Sequence, residues 1–307
     1  MNRRQAMGSL LAVTGSSAMF PTMIPTRNSP FIYSLNMSTL RGHKLGFRKE
    51  LEVAAQAGYG SVEIWISSLE AYLAEGHSLA ETRRLIADLG LKVENAIGFA
   101  NWIVDDVTVR KKGVDQLKRE MDQLAEIGCH RVAAPPAGAV DGNLLDLAEV
   151  AARYRAILEL GDQTGVVPHL ELWGFAKNLS RVSEILYVAT ETAHRDARLL
   201  MDVYHLHKGG SGLDSVLNVG PSLIEIFHMN DYPRDPIAAD IKDEHRLYAG
   251  DGIAPLPQLL QTLYRKENPV VLSFEVFNKN YYAQDALLVA RTGLSKMKEV
   301  VAKCDFG

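Results

Sequence analysis

From Pro30 onward the chain alternates two kinds of segment. Short runs rich in β-branched and aromatic residues read as strands, and each is followed by a longer stretch whose apolar positions recur at helical spacing. The strand-like runs are FIYSLN (31–36), SVEIW (61–65), LKVENAI (91–97), HRVAAP (130–135), VVPHLEL (166–172), RLLMDV (198–203), IEIFHMN (224–230) and VVLSFEV (270–276). Glycines mark the beat between them. Gly58, Gly90, Gly128 and Gly165 close the helical patterns LEVAAQAG, TRRLIADLG, MDQLAEIG and ILELGDQTG at intervals of 32, 38 and 37 residues, the length of one strand–helix unit. A glycine there accepts the left-handed turn that ends a helix before the next strand begins. A final helical pattern, AQDALLVARTGLSKMKEVVAK, follows the eighth strand.

Strict alternation of strand and helix implies parallel strands, and eight such units imply a single closed (β/α)8 TIM barrel spanning residues 28–307. An open doubly wound sheet would carry a glycine-rich phosphate turn after its first strand, and SLNMSTL does not supply one. The longest irregular stretch, 231–252, is expected to be a functional loop over the active face.

Composition narrows the class. The chain has 307 residues, 47% hydrophobic and 23% charged, as a globular protein does, and no apolar run long enough to span a membrane. With 33 Lys and Arg against 37 Asp and Glu the net charge is -4, which argues against a nucleic-acid partner. Two cysteines, Cys129 and Cys304, provide no disulfide framework or C-x-x-C site. The charge is unevenly spread, since the first acidic residue is Glu50. The basic start and weakly apolar stretch of MNRRQAMGSLLAVTGSSAMF, with Arg3 and Arg4 paired, read as a twin-arginine export signal over residues 1–27 and so as a periplasmic protein; without a working signal the protein would be cytoplasmic. Monomer and homo-oligomer both remain open.

In a TIM barrel the chemistry sits at the carboxyl ends of the strands. The last four predicted strands end in Glu171, Asp202, His228 and Glu275, at intervals of 31, 26 and 47 residues, about one barrel step each with the long loop swelling the last. One such residue alone is more simply a cap or an ion-pair partner. Four at equivalent positions make a mixed carboxylate–imidazole site for one divalent metal ion, Mn²⁺ first, with Co²⁺, Mg²⁺ or Zn²⁺ as the others. Trp173, two residues past Glu171, is placed to stack on a substrate ring, and His169 faces the same side of its strand as Glu171, as a supporting residue or an extra ligand. Asn36, Glu63 and Asn95 near the ends of the first three strands suit either substrate hydroxyls or hydrogen bonding within the rim.

MDVYHL with Asp202 and His205, IFHMND with His228, Arg234 six residues on, and SFE with Glu275 resemble the xylose-isomerase-like superfamily of sugar isomerases and epimerases. The resemblance implies that Glu171, Asp202, His228 and Glu275 hold one metal, that Glu171 and Glu275 also move protons, and that His205 and Arg234 bind substrate oxygens. The substrate implied is a keto sugar or cyclitol, reacting through an enediolate. One departure matters: where ketose 3-epimerases of this group place a further glutamate, this chain has Lys177. A lysine there suits an acidic substrate or protonation of a leaving hydroxyl, so a lyase or dehydratase acting on an inosose, dehydroshikimate or a 3-keto-glycoside is the alternative. The trinuclear zinc phosphodiesterases of the same superfamily need more ligands and a basic groove, which nine histidines and an acidic body do not supply. A sugar-binding barrel without turnover is a third class.

Overall fold

A computed structural model of the chain describes residues 29–307; the segment read as an export signal lies outside them. The strand–helix rhythm is realised throughout. β1 (Ile32–Asn36) leads to α1 (Phe47–Ala57), β2 (Ser61–Trp65) to α2 (Ile66–Ala74) and α3 (Leu79–Asp88), β3 (Lys92–Ile97) to α4 (Val107–Ile127), and β4 (Arg131–Ala134) to α5 (Leu147–Thr164). β5 (Val167–Glu171) leads to α6 (Val182–Glu191), β6 (Leu199–Asp202) to α7 (Val203–Lys208), β7 (Ile224–Met229) to α8 (Leu256–Leu263), and β8 (Val271–Phe274) to α9 (Lys279–Tyr282) and α10 (Ala286–Val301). The glycines expected to end helices do so at positive φ, for example 95° at Gly58 and 84° at Gly128.

All pairings are parallel, in the order β3-β2-β1-β8-β7-β6-β5-β4. β3 and β4 lie side by side, so the sheet closes on itself as a nearly complete (β/α)8 barrel. The main core fills the layer between sheet and helices, where Leu35, Leu51, Val62, Leu124, Tyr154, Leu170 and Phe274 are fully enclosed. Each such side chain contributes roughly 1.5–3 kcal/mol of apolar burial. A second, smaller apolar layer of Ile97, Ala133, Leu200, Ile226 and Val271 plugs the barrel interior, so the barrel is packed rather than open.

Charge pairs tie the amino-terminal ends of the strands together. Arg131 reaches Glu225 at 2.7 Å and Glu94 at 2.9 Å, and Arg198 reaches the other oxygen of Glu225 at 2.7 Å. Burial would raise the Glu225 carboxyl, but His169 and the two arginines hold it down at about 2. His169, expected near the site, is enclosed in the barrel and lies 4.0 Å from Glu225, so its ring faces the amino-terminal end of the barrel, away from the site.

The stretch 231–252 is less irregular than its sequence suggests. Asp231 and Leu247 form an antiparallel bridge, and the buried Asp231 carboxylate accepts four backbone N–H groups, from Tyr232, Gly250, Gly252 and Ala254 at 2.8–3.0 Å. The loop is thereby pinched at its base. No helix among the described residues is long and apolar enough to cross a membrane.

Candidate metal centre and active site

Strand register decides which predicted ligands meet. Asp202 and His228 are direct partners across β6 and β7, and Glu275 stands two residues past Ser273, the β8 partner of His228. Donor atoms of Asp202, His228 and Glu275 all lie within 4.8 Å of one another, and all three residues are buried. Glu171 pairs with Leu200, two residues short of Asp202, and is outside that spacing. It is nevertheless only 6% exposed, with one carboxylate oxygen lacking any hydrogen-bond partner.

The residues around this triad fix its orientation. His228 Nε2 lies 3.0 Å from Glu63 and Nδ1 lies 3.2 Å from Glu275, although neither contact has hydrogen-bond alignment. Glu63 in turn accepts from Asn36 at 3.1 Å and Asn95 at 2.7 Å. Glu63 therefore ties Asn36 and Asn95 together beneath the site. Asn230, directly after β7, donates to Asp202 at 2.8 Å and to the Glu275 carbonyl at 3.2 Å. Ser38 donates to Glu275 at 3.1 Å.

The arginine that reaches the centre is Arg246, not Arg234. Arg234 is exposed in the loop, whereas the pinch at Asp231 carries the chain back so that Arg246, 1% exposed, enters the site. Its guanidinium donates to Asp202 at 2.8 Å, Glu275 at 2.7 Å and Asp243 at 2.6 Å, and lies 3.1 Å from His205 Nε2. His205 is buried and held by its own backbone N–H on Asp202 at 2.9 Å. Lys177 is exposed, and its ammonium group donates to the Gly142 carbonyl at 3.0 Å, away from the carboxylates. Trp173 is half-buried beside the site, whereas Trp102 is wholly buried and bonds the Pro135 carbonyl.

The electrostatics separate the two glutamates. Burial, reinforced by the charge of Glu275, pushes Glu171 up to about 8 against the pull of His228. For Glu275 burial acts the same way, but His228 and Arg246 overcome it and hold that carboxyl well below the usual range. Asp202 rises to about 6 through burial, against the pull of Arg246. Burial disfavours protonation of His228, yet Glu63 and Glu275 reverse this and raise it well above the ordinary value. Four buried carboxyl groups, Glu63, Glu171, Asp202 and Glu275, thus meet one guanidinium and the His228 imidazole at this point.

Residues 51–300 match the sequence pattern of the family described as Xylose isomerase-like TIM barrel. The chain belongs to that family. Among its relatives is the inosose isomerase of Bacillus licheniformis, 28% identical over 262 residues, covering 83% of this chain and 92% of that protein. The 3-dehydro-D-guloside 4-epimerase of Escherichia coli K12 is 22% identical over 240 residues, covering 72% and 85%. Among solved structures, the IolI protein with a bound zinc atom superposes with a TM-score of 0.79 at 24% identity, over 90% of this chain and 99% of that one.

Proposed function

We propose that this member of the family is a divalent-metal-dependent isomerase or epimerase of a keto sugar or cyclitol. The observation that carries the reading is the convergence of Asp202, His228 and Glu275 at the carboxyl end of the barrel. The donor set fits a metal ion. Three carboxylates, including Glu171, and an imidazole are buried with more negative charge than Arg246 balances, and polar atoms of Glu171 and His228 lack hydrogen-bond partners. Uncompensated buried charge is costly, and a divalent cation offsets it. His228 would offer Nδ1, the nitrogen facing Glu275 and Asp202, with Nε2 turned to Glu63. A carboxylate behind a metal-binding histidine fixes its tautomer and raises its basicity. Mn²⁺ is the first choice for such a set; Zn²⁺, which the IolI structure holds, suits it as well.

When bound, the ion supplies Lewis acidity to the carbonyl and neighbouring hydroxyl oxygens of the substrate. Glu171 and Glu275 remove the carbon-bound proton beside the carbonyl and return a proton, each on its own side of the reacting carbon. Arg246 supplies fixed positive charge where negative charge develops, and His205, whose Nδ1 accepts from the Gly174 N–H and whose Nε2 faces Arg246, holds that guanidinium in place. Two relatives are named for an isomerisation of an inosose and an epimerisation of a 3-dehydro-guloside, which agrees with this substrate class.

The test is incubation of Mn²⁺-loaded protein with ketoses, inososes and 3-keto-glycosides in D₂O. Incorporation of one deuterium with the carbon skeleton retained is expected. Loss of water or an alcohol would identify a lyase instead. Glu171→Gln and Glu275→Gln should each reduce exchange by about 10²–10⁴-fold, the usual contribution of a positioned acid or base. Full activity in both variants would overturn the mechanism.

A further inference from the structure

The mouth of the site carries more aromatic surface than a keto sugar can cover. Trp65 ends β2, Phe99 lies two residues past β3, and Trp173 and Phe175 follow β5. Their rings form an unbroken series: Trp65 to Phe99 at 5.0 Å between centroids, Phe99 to Trp173 at 6.0 Å, Trp173 to Phe175 at 5.3 Å, and Phe175 to His205 at 5.4 Å. Both ends are joined to the carboxylates. Trp65 Nε1 donates to Ser38 at 2.8 Å, and Ser38 donates to Glu275; at the other end the His205 backbone N–H holds Asp202.

The two phenylalanines are the informative members. Phe99 is 41% and Phe175 42% exposed, so part of each ring is left uncovered by the protein's own core. Scattered exposed apolar residues are ordinary, but these two flank one half-buried tryptophan at the edge of a polar site. A free keto sugar or cyclitol bears a polar oxygen at nearly every carbon and offers one small C–H face for stacking. That face can cover one of these rings and leaves the others wet. A flat apolar group attached to the reacting ring would cover them.

We infer that the substrate is a keto-glycoside, or an equivalent keto-cyclitol derivative, whose flat apolar substituent lies against Phe99, Trp173 and Phe175 while its keto-bearing ring sits at Asp202, His228 and Glu275. This rests on the keto-sugar reading above and supplies the part of the substrate that reading leaves open. Arg41, whose guanidinium covers the Trp65 ring at 3.8 Å, closes the series on the far side. The substituent therefore occupies the Phe99–Phe175 end.

The experiment uses the full-length, Mn²⁺-loaded protein and a matched pair of ligands, phenyl and methyl 3-keto-β-D-glucopyranoside. Binding is measured by calorimetry on Glu171→Gln protein, so that turnover does not interfere, and deuterium exchange is measured separately on protein with Glu171 intact. The phenyl glycoside should bind at least tenfold tighter than the methyl glycoside. Phe99→Ala and Phe175→Ala should each shrink that ratio severalfold, with Phe→Leu intermediate, and the two alanines together should bring it close to one. A phenyl-to-methyl ratio within twofold before any substitution at Phe99 or Phe175, or a ratio that survives the double alanine variant, overturns the inference. If the aryl preference is present and is lost with the two rings, but no ketose, cyclitol or keto-glycoside exchanges deuterium, the subsite stands and the enzymatic reading falls.

Discussion

At the scale of single residues, the pair Glu63–His228 shows why ligands alone do not make a site. His228 was visible in the sequence because it falls at the same point of the repeat as Asp202 and Glu275. Glu63 was visible only as a polar strand end, because its partner lies across the barrel on β7 and no local spacing reports that contact. In the fold, Glu63 faces His228 Nε2 at 3.0 Å and is itself held by Asn36 and Asn95. Glu63→Gln keeps the size and one of the two acceptor oxygens but removes the charge that favours an oriented, electron-rich imidazole. It should weaken Mn²⁺ affinity by about 10–100-fold, as loss of an outer carboxylate commonly does, measured by competition with a chelating dye. Unchanged affinity would mean that Glu63 only packs the barrel interior. Arg246 was missed for a related reason: a position in a loop depends on where the backbone returns, and the six-residue offset from His228 pointed to Arg234, which the loop carries to the surface.

At the scale of elements, the strands and helices were legible because their signals are local and repeated. Each β-branched run became a strand within the expected range, and each expected helix-ending glycine took a positive φ. The stretch 231–252 had no such signal, since its order comes from one buried carboxylate that gathers the neighbouring Tyr232 N–H and three N–H groups distant in sequence, those of Gly250, Gly252 and Ala254. That carboxylate should position Arg246 without touching a ligand. Asp231→Ala leaves four backbone donors, one buried and three partly buried, without their acceptor and should cost about 2–4 kcal/mol in unfolding free energy. It should also lower kcat more than it raises the Kd for Mn²⁺, because Arg246 moves while Asp202, His228 and Glu275 remain on their strands. A purely structural role would give the stability loss with kcat preserved in the folded fraction. Asp231→Asn, which keeps one oxygen as an acceptor, should fall between.

At the scale of the whole molecule, the two ends of the barrel solve opposite electrostatic problems. At the amino-terminal end, Glu94 and Glu225 are matched by Arg131, Arg198 and Lys92, so that end is balanced by the chain itself and serves stability. At the carboxyl end, Glu63, Glu171, Asp202 and Glu275 face Arg246 and the imidazoles of His205 and His228, and the chain does not balance its own charge. A barrel closed in this way should be stable without metal yet measurably more stable with it. Binding to the folded state alone adds about 2.7 kcal/mol at a free ion concentration 100 times Kd and about 1.4 kcal/mol for each further tenfold. For a domain of this size that is a rise of roughly 4–5 °C in Tm at the first of these concentrations. The informative quantity is the slope. Tm should climb steadily with the logarithm of Mn²⁺ concentration, the climb should vanish in His228→Gln and Asp202→Asn, and it should persist in Phe175→Ala, which leaves the carboxylates in place. A Tm indifferent to Mn²⁺, Co²⁺, Mg²⁺ and Zn²⁺ alike would show that the carboxylates carry their charge unaided, and the metal would have to be withdrawn from the mechanism.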